Sequence, residues 1–143
     1  MDVMNRAIFF LVLIIQLVLL LSAGCSADTE MDYRDGIYRG RVHTQQEVPH
    51  GEGTWISPEG KKYVGYWSEG EIVEGKLFVD EDVLYYEGEF AGGEKHGEGT
   101  LYWEDGTVRY EGGWRQGKMH GQGTLYWEDG TVRYQGEWRD GGF

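Results

Sequence analysis

The side chains able to do chemistry are few and thinly spread. His96 and His120 lie 24 residues apart, with His50 further upstream, and could be imagined as a ladder of metal ligands. Each is followed by glycine and lacks the Cys/His spacing of a zinc site, so all three are read as loop residues and no metal is expected. The acidic run Asp80-Glu81-Asp82 lacks the ligand spacing of a calcium loop and is read as a solvated turn. No Ser, His and Asp grouping appears, and no phosphate-cradling glycine loop precedes a helix. The expected protein is therefore not an enzyme and carries no cofactor.

One pattern points to recognition. Ile56, Phe78, Tyr102 and Tyr126 each stand two residues after Thr54, Lys76, Thr100 or Thr124, on a face otherwise built from Thr, Arg, Glu and Gln. Neighbours in such register would form an apolar ribbon on a polar surface. Two readings stay open: a cross-strand ladder that stiffens a sheet, or a binding row in which Phe78, Tyr102 and Tyr126 stack on a ligand while Arg109 and Arg133 donate hydrogen bonds.

The elements that hold these residues come from a repeat. His96 to Tyr110 is written again from His120 to Tyr134 with a single change, Glu98 to Gln122. A period of 24 residues at this fidelity signals a stacked unit rather than a globule. Within the unit, Glu104-Asp105-Gly106 separates Thr100–Trp103 from Thr107–Tyr110, and an Asp-Gly pair between strand-favouring runs predicts a β-hairpin. Alternation places Val108, Tyr110, Gly112 and Trp114 on one face and Thr107, Arg109, Glu111 and Gly113 on the other. The aromatic face is also glycine-rich, because a ring can lie flat over a glycine that has no side chain. Lys95 is expected to be exposed.

Further copies of the Tyr-x-Gly strand begin at Tyr38, Tyr63, Tyr86, Tyr110 and Tyr134, at intervals of 25, 23, 24 and 24 residues. The string Tyr86-Glu87-Gly88-Glu89-Phe90 through His96-Gly97-Glu98-Gly99-Thr100 resembles the MORN (membrane occupation and recognition nexus) repeat, and the resemblance spans Tyr38 to Phe143. Two places depart from the family pattern: Ile72-Val73 replaces His-Gly, and the fifth copy stops after its first strand. The resemblance implies an all-β, single-layer antiparallel hairpin array, a MORN solenoid, of four repeats and a terminal half repeat over 38–143. It also implies that any catalysis in the family resides in other domains. Homodimers are common in it.

Ahead of the repeats, Ala7 to Leu21 is an apolar run of signal-peptide length, shorter than the ~20 residues that span a bilayer. Ser22-Ala23-Gly24-Cys25, which ends in the chain's one cysteine, resembles the lipobox of bacterial lipoproteins. That resemblance implies a signal helix over 1–24, diacylation (palmitate or a similar chain) at Cys25, and a polar tether over 25–37. An uncleaved anchor helix and a plain cleaved signal are the alternatives. The formal net charge of −12 opposes binding to nucleic acid or anionic lipid, so the membrane would be held through the acyl chains.

The function expected is a non-catalytic scaffold at the cell envelope. It would be anchored to the cell or outer membrane, facing periplasm or exterior, and present its repeats to a protein partner. Binding of glycan or cell-wall polymer through the aromatic row, and binding of phospholipid, are the alternatives. A last expectation concerns the edge strand, with Tyr134, Gly136 and Trp138, which has no successor to pair with. It is predicted to add a partner strand or a second copy, unless Phe143 folds back over Trp138.

Overall fold

The computed structural model describes residues 28–80 and 82–143; the expected signal helix, Cys25 and Glu81 lie outside them. Ten strands follow one another: β1 (Thr29–Tyr33), β2 (Gly36–His43), β3 (Val48–Ile56), β4 (Lys62–Ser68), β5 (Glu71–Val79), β6 (Val83–Ala91), β7 (Glu94–Tyr102), β8 (Val108–Arg115), β9 (Lys118–Tyr126) and β10 (Val132–Trp138). They pair antiparallel in chain order as one open sheet, the hairpin array that the repeats predict.

Turn chemistry builds the two long edges. On one edge, Glu69-Gly70 and Gln116-Gly117 hold positive φ at both positions, as a two-residue type I′ turn requires. On the other, Gly106 N–H donates to Trp103 O at 3.0 Å and Trp103 N–H donates to Thr107 O at 2.8 Å. Gly106 at φ +85° completes this three-residue loop, the type I turn with a glycine bulge. The same pair of bonds recurs at Trp127–Thr131 and at Ser57–Lys61.

Between the edges, register stacks glycine on glycine. The row runs unbroken from Gly40 in β2 to Gly136 in β10. Tyr86 and Tyr110 lie over Gly99 and Gly123, where an added methyl group would fall inside the ring. Each tyrosine hydroxyl then donates to a carbonyl three residues on, Tyr86 to Glu89 O at 2.9 Å and Tyr110 to Gly113 O at 3.0 Å. Rings meet edge to face in a chain that alternates along the sheet: Tyr86–Trp114 at 5.4 Å, Trp114–Tyr110 at 5.1 Å, Tyr110–Trp138 at 5.3 Å. Trp67, Trp114 and Trp138 donate their indole N–H to Gly53, Gly99 and Gly123 carbonyls, so the aromatic row is also satisfied as hydrogen-bond donors. This row, with Leu77, Leu101 and Leu125, is the core.

Two expectations change. Residues 29–37 are not tether: Thr29–Tyr33 pairs with β2 as a full strand, because Met31 and Tyr33 add apolar surface that packs on the core. Its end crosses the aromatic face, where Tyr33 Oη donates to Gly70 O at 2.8 Å and Arg34 pairs with Glu71 at 2.5 Å. The hairpin thus caps the array at its start. Lys95 is half-buried, not exposed, with its ammonium 4.3 Å from the Trp114 ring centre and 5.2 Å from that of Tyr85. Burial, and secondarily the charge of Arg109, pull its pKa down. At the far end Asp140-Gly141 makes a further positive-φ turn, and Phe143 comes back to stack on Tyr134 at 4.2 Å and to meet Trp138 edge-on at 5.1 Å.

Candidate functional site

The expected aromatic ribbon is interrupted. Ile56, Phe78, Tyr102 and Tyr126 end β3, β5, β7 and β9, which are second neighbours in the sheet, so another strand's residue separates each from the next. Lys62 stands between Ile56 and Phe78, while Leu84 pairs with Phe78, Val108 with Tyr102 and Val132 with Tyr126. All four row residues are half-buried. Lys62 holds its ammonium 4.7 Å from the Phe78 ring centre. The Tyr126 hydroxyl donates to the Glu111 carboxylate, and burial followed by the Glu87 charge pushes the Tyr102 hydroxyl pKa up.

Arg109 and Arg133 leave that row because of a bulge. Tyr102 pairs with Val108 and Leu101 with Tyr110, which makes Arg109 the extra residue; Arg133 stands in the same relation to Tyr126 and Leu125. A bulge re-aims the side chain it carries. The Arg109 guanidinium lies 4.4 Å over the Trp103 ring, and that of Arg133 lies 4.3 Å over Trp127. The bulge also puts Val108 on the face of Tyr102 rather than of Tyr110, against simple alternation.

What the structure assembles instead is a pair of clefts along the edge of three-residue turns. One, of about 730 Å³, has Tyr85, Trp103 and Arg109 in its wall with Glu104 and Asp105 at its rim. The next, of about 700 Å³, runs from Trp103 to Trp127 and is flanked by Arg133, Glu128 and Asp129. The rims are rigid, since Asp105 accepts from Thr107 N–H at 2.9 Å and from Thr107 Oγ1 at 2.6 Å, and Asp129 holds Thr131 likewise. Those bonds hold both carboxyl groups below their usual pKa range. Trp103 and Trp127 are absent from the expected site because parity assigns Trp103 to the core face. The available signal is the spacing Trp-x₅-Arg, written at Trp103/Arg109 and again at Trp127/Arg133.

The family model of the MORN repeat matches residues 86–108, 110–132 and 134–141. Over residues 86–141 the chain is similar to the MORN repeat. Each matched segment opens on one of the tyrosines seated along the glycine row, Tyr86, Tyr110 or Tyr134. Ahead of the MORN match, Tyr38 repeats the arrangement, covering Gly53 and meeting Trp67 edge-on at 5.4 Å. Among curated proteins, none matches the chain.

Of the edge-strand residues, Tyr134 and Trp138 are the ones covered by Phe143, while the chain's return pairs only at Arg139 with Gly142. The outer backbone of Tyr134–Trp138 carries no strand among the described residues. Nor do the described residues gather three or more His, Cys, Asp or Glu side chains into a metal-binding group.

Proposed function

We propose that the chain is a non-catalytic MORN-repeat scaffold, held at a cell-envelope membrane by acylation of Cys25, that presents its sheet to a protein partner. The observation that carries this reading is the single open layer. Ten strands spend their aromatic residues on holding neighbouring hairpins together and leave one broad polar face and two sheet edges for contact. The acidic charge selects a partner with a basic surface. The anchor fits this geometry. β1 begins at Thr29, and the chain from Cys25 to Thr29 spans at most about 14 Å, which keeps the first hairpin beside the bilayer. Ser26 in place of aspartate favours the outer membrane in a cell that has two.

Fatty-acid labelling and fractionation test the anchor. The parent chain is expected in the membrane fraction with label, and Cys25→Ser in the soluble fraction without it. Cross-linking in intact envelopes should capture one basic protein with the parent chain. Loss of capture in Cys25→Ser is the expected outcome, and a parent chain that takes no label removes the anchor.

A further inference from the structure

The six tryptophans divide into two groups. Trp55, Trp67, Trp114 and Trp138 each donate the indole N–H to a main-chain carbonyl inside the fold. Among the described residues, Trp103 and Trp127, at the turn edge, make no such bond. There, Trp103 Nε1 and Arg109 Nε are buried in the cleft wall without an acceptor, and Trp127 is 49% exposed. A buried donor left without a partner is costly, and a large exposed ring is not needed for the sheet's stability. In each repeat, then, a guanidinium covers one side of an indole, rigid carboxylates flank it, and open space of about 700 Å³ lies between the two indoles.

We propose that this turn edge binds an extended chain of β-1,4-linked hexoses, neutral or amine-bearing, with one disaccharide per repeat. Trp103 and Trp127 close hairpins on β7 and β9, two strand spacings or roughly 10 Å apart. That is the length of two pyranose rings in an extended chain. The C–H face of a pyranose packs on an indole, and its hydroxyls donate to Glu104 and Glu128. The outer guanidinium nitrogens of Arg109 and Arg133 supply donors for ring or acetamido oxygens. The carboxylates, together with the net charge of −12, disfavour sulfated or uronate polymers. The site is separate from the sheet face offered to a protein partner, so either reading can fail alone.

The test titrates the full chain, in detergent micelles, with β-1,4-linked N-acetylglucosamine dimer and hexamer, read by tryptophan fluorescence and calorimetry. Because the hexamer reaches both modules, it should bind at least about tenfold more tightly than the dimer. Trp127→Ala removes an exposed ring outside the core, so its circular dichroism should match the parent while its hexamer affinity falls to the level of the dimer. Equal affinity for the two lengths, no saturable binding of either, or an unchanged Trp127→Ala variant would each overturn the proposal. So would a Trp127→Ala variant that keeps hexamer binding but loses the cross-linked protein partner.

Discussion

At the scale of single residues, the fold depends on what stands opposite glycine. Gly99 and Gly123 take a tyrosine ring, whereas Gly112 faces backbone, its missing Cβ lying 2.5 Å from Gly123 Cα. Both exclude a side chain, for different reasons. Lys95 illustrates the reverse case, a charged residue kept inside by rings. Its cation–π contacts and its packed stem replace the water its ammonium loses. One period later the corresponding residue is Met119, which packs on the core. Lys95→Met should therefore change stability by less than about 1 kcal/mol. Lys95→Asp, which sets a short carboxylate against ring faces, should cost about 2 kcal/mol or more. Urea denaturation followed by tryptophan fluorescence separates the two, and equal costs would mean that the rings do not hold the lysine.

At the scale of elements, the last described strand is tied to the hairpin before it. Asp140 pairs with Arg115 at 2.8 Å, and Gly141 N–H donates to Met119 O at 2.9 Å, so the terminal turn is fixed on the preceding hairpin. The same turn-to-strand bond runs from Gly117 to Lys95 O and from Gly70 to Pro49 O. The terminal turn thus uses the joint that links repeats inside the array. Phe143 then covers Tyr134 and Trp138 where the next repeat's ring would lie. Deleting residues 140–143 should cost about 1–2 kcal/mol for the exposed aromatic surface. It should also raise self-association in light scattering. Unchanged stability and unchanged mass together would leave Phe143 with no capping role.

At the scale of the molecule, the described residues place no second layer over the sheet. Its aromatic face is closed by its own rings, by the β1–β2 hairpin at one end and by Phe143 at the other, the place taken in repeat arrays by capping units. Ten strands at about 4.8 Å spacing reach ~43 Å from edge to edge. Residues 28–143 should accordingly give a radius of gyration of about 15 Å or more in X-ray scattering, against ~13 Å for a compact chain of that length. Their circular dichroism should contain strand and turn signal with almost no helix. A compact radius would place hairpins on top of one another instead of side by side.

The repeat period, the hairpins and the pairing of tyrosine with glycine are local in origin: strand alternation, Asp-Gly turns and a 24-residue identity act over a few residues, so they could be read from the chain directly. The candidate site could not. A one-residue bulge at Arg109 and again at Arg133 breaks the parity from which the faces are assigned, and it moves two arginines from the polar face onto Trp103 and Trp127. Second-neighbour strands carry Phe78, Tyr102 and Tyr126, so a row that aligns in the sequence is divided in space by Leu84 and Val108. Lys95 could enter the interior, and Thr29–Tyr33 could become strand, only because rings from other hairpins were already placed to receive them. These are contacts between residues distant along the chain, and their free energy is decided by tertiary packing rather than by local pattern.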